Sequence, residues 1–159
     1  MLAILLALAC QAEESIRIPA FTAYVEPDPG GAKVSSAKGV TGWEYPEQRL
    51  VWLGRPTSLG KLRVSVLLRL PKDEWAELKF SVQGQTLAGR AVGAGDDAVT
   101  LDLGFIDIVE PGYAKFSLEG VQKSGKTFGQ IEALVLTGAP AKGAQFNLLP
   151  RRNAASPCS

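Results

Sequence analysis

The segment from Gly120 to Thr127 satisfies the phosphate-loop pattern letter for letter. In such a loop a lysine, here Lys126, contacts the phosphates, and the hydroxyl that follows it binds magnesium. The chemistry also needs a buried strand before the loop and a helix after it, whose first amides hold the anion. Here apolar and polar residues alternate over 113–118, as in a strand with one face exposed to solvent. Gly129 would interrupt the required helix, and only 32 residues follow Thr127. We therefore predict a hairpin loop and no bound nucleotide.

Five carboxylates could suggest the paired acids of a glycoside hydrolase: Asp96, Asp97, Asp102, Asp107 and Glu110. That chemistry needs two acids facing each other across the scissile bond, one of them with a raised pKa. No Trp or Tyr lies between these positions to stack a sugar, and their spacing fits turns and wet strand faces. We assign no catalytic residue and predict that the domain is not an enzyme.

Composition narrows the chemistry further. The chain has no histidine, and its two cysteines, Cys10 and Cys158, lie near its ends. This removes the usual general base, histidine-assisted nucleophiles, zinc sites and a disulfide framework. A net charge of +1 provides no field to attract nucleic acid. We expect no cofactor and no metal, although Glu26 and Asp28 leave a weak calcium alternative open.

The loop Gly39–Pro46 presents Trp43 and Tyr45 beside Glu44. An exposed aromatic pair next to a carboxylate can stack on a sugar ring and hydrogen-bond to it. The alternative is that Trp43 caps the core at one end of the fold. Trp52, inside a predicted strand, is expected in the core, and Trp75 is expected to cover an edge.

The C-terminal segment contributes the remaining candidates. Asn147, in the last predicted strand, and Arg151 are candidate polar contacts to a sugar. Arg151, Arg152 and Asn153 follow that strand, and guanidinium groups suit carboxylates on a ligand or on a neighbouring domain. We expect these three residues to contact a further domain.

The elements that must position these residues are β-strands, because apolar residues recur with period two from Ile16 onward. The clearest strand is Lys61–Leu70, in which every second residue is aliphatic. Further strands are predicted at 16–26, 49–54, 78–83, 86–92, 99–103, 113–118, 131–137 and 144–149. Turns are predicted at Gly84-Gln85, Pro111-Gly112 and Glu119-Gly120. The segment 71–76 is expected to be a loop or a single helical turn.

Short strands at this spacing predict an all-β fold: a single antiparallel β-sandwich of the jelly-roll, galactose-binding-like kind, over residues 16–150. We expect the first strand to lie beside the last. Residues 1–12 resemble a signal peptide, with the apolar run Leu2–Ala9 too short to span a membrane. This predicts a secreted or periplasmic protein, with Cys10 as an alternative lipoprotein anchor.

Four pieces of sequence together resemble domain of unknown function 5077: Ile18–Pro27, Gly42-Trp43, Pro111-Gly112-Tyr113 and Arg151–Ser156. The resemblance covers Ile16 to Ser156. It implies a galactose-binding-type sandwich standing before a second uncharacterised domain in exported bacterial proteins, with no established activity. Residues 151–159 are then expected to be an exit segment toward a missing C-terminal domain.

Two functions follow from these observations. The first is a non-catalytic accessory domain that packs on a downstream domain, with weak carbohydrate binding through a loop aromatic. The alternative is a true carbohydrate-binding module that takes a glycan at Trp43 and Tyr45. The position of the Trp43 ring separates them, because a buried ring has no face for stacking.

Overall fold

A computed structural model describes residues 15–27 and 31–146. In that part of the chain there are twelve β-strands and two short 3-10 turns. The strands are β1 (Ser15–Pro19), β2 (Tyr24–Glu26), β3 (Lys33–Ser35), β4 (Gly39–Thr41), β5 (Arg49–Arg55), β6 (Gly60–Arg69), β7 (Trp75–Val82), β8 (Gln85–Val92), β9 (Val99–Ile108), β10 (Ala114–Lys123), β11 (Gln130–Thr137) and β12 (Gln145–Phe146). The 3-10 turns are Ala20–Thr22 and Ala139–Ala141. None of the described helices is long and apolar enough to cross a membrane.

The strands form two antiparallel sheets packed face to face. Sheet A has the order β3-β4-β11-β6-β9, with β1 also paired to β11. Sheet B has the order β12-β5-β10-β7-β8, with β2 also paired to β5. The predicted antiparallel β-sandwich is thus confirmed.

Alternation along each strand builds the core. In β6 the side chains of Leu62, Val64, Val66 and Leu68 are all buried, while the residues between them face outward. Because successive side chains point to opposite faces of a sheet, this pattern commits one face to the interior. The two inner faces meet there in a single apolar cluster.

Several predicted boundaries need correction. The segment 16–26 is not one strand, because the 3-10 turn at Ala20–Thr22 carries the chain from β1 in sheet A to β2 in sheet B. The first strand does not lie beside the last: β1 pairs with β11, and β12 pairs with β5. Glu119 and Gly120 are not a turn but lie within β10, where a bulge follows Gly120. The hairpin between β7 and β8 turns at Gln83-Gly84, one residue earlier than predicted.

The segment 71–76 is expected from its sequence to be a loop or a single helical turn. Pro71–Glu74 is a turn in a loop that leads directly into β7. Trp52 lies in β5 with 2% of its surface exposed, so its assignment to the core is confirmed.

The sandwich has two ends. β4, β6 and β10 run toward the end where the 42–48 loop lies, and β5 and β9 run toward the opposite end.

Candidate functional site: a polar cleft between loops

The ring of Trp43 is buried completely, with no exposed surface. Its indole N–H donates a hydrogen bond to the carbonyl oxygen of Gln48 at 3.0 Å, and its ring packs on Phe128 with the centroids 5.1 Å apart. Gly42, with φ at +68°, reverses the backbone just before it. Trp43 therefore caps the core, and its predicted role as a stacking surface is wrong because no ring face is accessible.

Tyr45 lies two residues farther along this loop and is 54% exposed. Tyr45 is therefore exposed, as the sequence predicted. The carboxylate of the neighbouring Glu44 forms an ion pair with Lys126, with Oε1 and Nζ 3.5 Å apart. The other predicted site residues, Asn147, Arg151, Arg152 and Asn153, lie outside the described residues, as do the candidate leader at residues 1–12, Cys10 and Asp28. Trp75 lies at the start of β7 and stacks under the guanidinium of Arg90, 3.7 Å from the ring centroid.

The segment with the phosphate-loop pattern has neither flank that such a loop needs. It begins inside β10, which pairs antiparallel with both β5 and β7, and it leads into strand β11. Gly125 lies against the carboxylate of Glu74, which would repel a phosphate. The prediction of a hairpin loop is also wrong, because β10 and β11 belong to different sheets and the loop crosses between them.

Three of the five acidic residues predicted at turns and on exposed strand faces make local contacts, Asp102 through its carboxylate and Asp107 and Glu110 through their backbones. Asp102 pairs with Arg63, whose hydrogen bond holds the pKa of the Asp102 carboxyl below its ordinary value. The backbones of Asp107 and Glu110 are held by the side-chain amides of Gln85 and Gln83. No three described side chains of the metal-ligating types come together to hold an ion. Glu26 pairs instead with Arg49 and Lys115.

A cleft of about 720 Å³ opens at the end of the sandwich where β6 ends and β11 begins. Its volume lies in the range of small-molecule sites. We call it the loop cleft. It is lined by Ala37, Lys38, Thr41, Gly42, Arg69, Leu70, Pro71, Gly95, Asp96, Thr127, Gly129, Gln130 and Glu132. This lining, drawn from the described residues, contains no aromatic side chain.

Arg69 is the centre of the loop cleft. Its Nε donates to the carboxylate of Glu132 in β11, and its Nη1 donates to the carbonyl oxygen of Asp96 in the β8–β9 loop. The hydrogen bond to Glu132, aided by its charge, raises the pKa of the Arg69 guanidinium, which therefore stays ionised. One side chain thus joins a strand of sheet A to a loop that borders the cleft.

Gln130 fixes a second border of the loop cleft. Its Nε2 donates to the carbonyl oxygen of Lys38 at 2.8 Å, which holds the β3–β4 turn over the start of β11. Nearby, the amide of Gly129 donates to the hydroxyl of Thr127 at 3.2 Å. The cleft is therefore bordered by connections that polar side chains hold in place, and preorganised groups lose less entropy on binding.

The loop cleft is not visible in the sequence. Arg69 and Glu132 are 63 positions apart, and in the sequence each is typical of a residue on a solvent-exposed strand face. Only the pairing of β6 with β11, with its irregular register between Ile131 and Ala133, brings them together. The one available signal was that Asp96 falls in a Gly-rich loop, which is typical of sites bordered by loops.

The comparisons with known proteins agree with this architecture. The family model described as Domain of unknown function (DUF5077) matches residues 18–141. No curated protein sequence matches the chain.

Several solved structures similar to the chain are carbohydrate-binding modules, and others are glycan-cleaving enzymes. The family 35 module from Clostridium thermocellum superposes with a TM-score of 0.61 at 10% identity, covering 79% of this chain and 99% of its own. The family 35 module of Cellvibrio japonicus Abf62 gives 0.57 at 12%, covering 83% and 96%. The Podospora anserina GH26-CBM35 β-(1,4)-mannanase gives 0.60 at 15%, covering 81% of this chain and 29% of the mannanase. At these identities the likeness establishes the fold.

Proposed function

The chain belongs to the family described as domain of unknown function 5077, and from that premise we propose that it is a non-catalytic domain that binds a neutral carbohydrate in the loop cleft. The observation that carries the proposal is the fixed group of polar side chains around Arg69. The fold is that of carbohydrate-binding modules, including modules attached to glycan-cleaving enzymes. Fold alone does not assign function, so the argument rests on the cleft.

The charges in the loop cleft favour an uncharged ligand. Lys38 and Arg69 are cationic, and Asp96 and Glu132 are anionic, so the lining is balanced. Vicinal sugar hydroxyls each donate and accept, and they match a guanidinium beside a carboxylate, since one donates and the other accepts. Arg69 uses one N–H toward Glu132 and one toward Asp96, which leaves further donors of its five for a ligand.

We expect weak affinity, because the described lining offers no ring on which a sugar can stack. Polar contacts to a solvated ligand each contribute on the order of 1 kcal/mol, so a dissociation constant of about 1 mM is the expected scale. In lacking a stacking ring, this site differs from the Trp43 site that the sequence suggested, in which a sugar would stack on the indole.

Calorimetric titration with neutral oligosaccharides chosen from a glycan array tests the proposal. The double variant Arg69→Gln/Glu132→Gln removes both charges while keeping side-chain size, and we expect binding to weaken more than about tenfold. The control is Arg63→Gln/Asp102→Asn, which removes a comparable ion pair between β6 and β9, outside the cleft. Equal binding by both variants and the unaltered protein, or no neutral ligand at all, would contradict it.

A second candidate is the structural accessory module. Leu59, Phe105 and Val109 are 53%, 54% and 56% exposed; Phe105 pairs with Arg63 on the outer face of sheet A, and Leu59 and Val109 flank the paired ends Gly60 and Ile108 of β6 and β9. Exposed apolar side chains grouped in this way favour contact with another domain. If a downstream domain covers them, amides of β9 will exchange more slowly with deuterium in a longer chain than in the domain alone. Unchanged exchange argues against this role.

The setting of the domain is also a proposal. The apolar run Leu2–Ala9, followed by a polar segment, supports export to the periplasm or the medium. Fractionation of cells expressing the whole chain tests this, because an exported protein leaves the cytoplasmic fraction and loses its leader. A protein of full mass retained in the cytoplasm would contradict export.

A further inference from the structure

The Pro111-Gly112-Tyr113 motif lies at the end of the sandwich opposite the loop cleft. Gly112 has φ at +94°, a conformation that glycine adopts without strain, and Tyr113 follows it with 71% of its surface exposed. An aromatic ring this exposed contributes little to the core. The proposed function makes no use of it.

Strands β5 and β12 place polar side chains near this ring. Arg55 in β5 pairs with Gln145 in β12. Tyr113 directly precedes β10, whose first residue, Ala114, pairs with Gly54, the residue before Arg55. The side chains of Arg55 and Gln145 face outward from sheet B, because their strand neighbours Gly54 and Phe146 lie on the core side, and Tyr113 is exposed. We call this set the Tyr113 row. With strands about 4.8 Å apart, the row spans about 10 Å.

Arg55 contributes a positive charge at this end of the sandwich. Among the described residues, the guanidinium of Arg55 has no ion pair and no side-chain hydrogen bond. Arg55 and Gln145 line a cleft of about 340 Å³, and Tyr113 directly follows Gly112, which also lines it; Arg55 is the one charged side chain of the described lining. This contrasts with the balanced charges of the loop cleft.

The wall of this second cleft is preorganised. The amide of Thr57 donates to the carbonyl oxygen of Pro140 at 3.2 Å, and its hydroxyl contacts the carbonyl oxygens of Pro140 and Lys142. These bonds hold the segment 138–143 against the end of β5, so the groups around Arg55 need little rearrangement on binding.

We propose that the Tyr113 row is a second sugar site, selective for an acidic pyranose such as a uronate residue. The ring of Tyr113 stacks on the apolar face of the sugar, Arg55 pairs with its carboxylate, and the amide of Gln145 bonds to a hydroxyl. An acidic sugar is favoured over a neutral one because a guanidinium forms charge-assisted hydrogen bonds with a carboxylate.

Titration with trigalacturonate and with neutral galactotriose, followed by calorimetry, tests this site. We expect trigalacturonate to bind more tightly and to weaken in 0.5 M salt, because the contact is ionic and exposed. Tyr113→Ala should weaken its binding about tenfold, whereas Tyr113→Phe keeps the ring and should retain most of it. Arg55→Gln should reduce binding of trigalacturonate to the level of galactotriose.

The control variant is Phe105→Ala, which removes an exposed ring from the other sheet and should bind trigalacturonate like the unaltered protein. If trigalacturonate does not bind, or if Tyr113→Ala and Arg55→Gln bind it as tightly as the unaltered protein does, the second site is overturned. If the loop-cleft variant Arg69→Gln/Glu132→Gln alone loses trigalacturonate, the acidic sugar belongs in the loop cleft. That result overturns the second site and leaves carbohydrate binding by the domain intact.

Discussion

The indole N–H of Trp43 donates its hydrogen bond to the carbonyl oxygen of Gln48, and both residues are buried. The carbonyl oxygen of Trp43 in turn accepts from the amide of Phe128 at 2.9 Å. Gln48 continues the connection through its side chain, which accepts from the amide of Ala32 and donates to the carbonyl oxygen of Pro27. The tryptophan thereby joins three loops at one end of the sandwich.

Replacing Trp43 by Phe should destabilise the domain by about 1 to 3 kcal/mol, because the carbonyl oxygen of Gln48 loses its buried donor and a space is left beside Phe128. Chemical denaturation followed by fluorescence or circular dichroism measures this. The expected sign is a lower denaturation midpoint with an unchanged slope.

Trp52 offers a matched control. Its ring is buried to a similar degree, but its indole N–H has no hydrogen-bond partner among the described residues. Trp52→Phe removes an unpaired donor and should therefore cost less than Trp43→Phe. An equal or larger loss of stability for Trp52→Phe would show that the Trp43–Gln48 hydrogen bond contributes nothing measurable.

The two glycines of the phosphate-loop pattern should differ in their tolerance of alanine. A methyl group at Gly120 would lie 2.6 Å from the ring of Phe128, inside the core. Overpacking of this kind costs about 1 to 3 kcal/mol. At Gly125 a methyl group would meet only the end of the Glu74 side chain, which can move aside. Thermal unfolding of Gly120→Ala and Gly125→Ala tests this, and similar midpoints would refute it.

The ion pair between Arg63 and Asp102 gives a pH-dependent contribution to stability. Arg63 lowers the pKa of the Asp102 carboxyl from its ordinary value of 3.8. A lowered pKa in the folded state means that the contribution is present above pH 3.8 and is lost as the pH falls through the lowered value.

An NMR titration of the Asp102 carboxyl carbon measures the effect. We expect Arg63→Gln to move the midpoint upward toward the ordinary value. Both side chains are 45% exposed, so 1 M salt should shrink the difference. A midpoint that does not change on Arg63→Gln would show that the pair has no influence on the carboxyl.

The sequence predicts the sheets well because their signal is local. The alternation in β6, from Leu62 to Leu68, is visible in a window of a few residues and survives in the fold. The same holds for β7. Membership of the family was also predictable, since its motifs are short and ordered along the chain.

The direction of Trp43 was not predictable, because it depends on contacts far along the sequence. Gly42 turns the chain there, but whether the indole then faces water or the core depends on Phe128, which arrives from the β10–β11 loop. That loop crosses between sheets, and the sequence favours a hairpin at the same place. The pairing of Arg69 with Glu132 is hidden for the same reason.

The central claim is that the loop cleft binds a neutral sugar. The most direct test is an NMR titration with a neutral oligosaccharide selected on a glycan array, in which the chemical shifts of the backbone amides are followed. The account predicts that the largest shifts will come from Lys38, Arg69, Asp96, Gln130 and Glu132, with Phe105 and Val109 unaffected. Shifts confined to other surfaces, or none up to about ten times the expected millimolar dissociation constant, would contradict it.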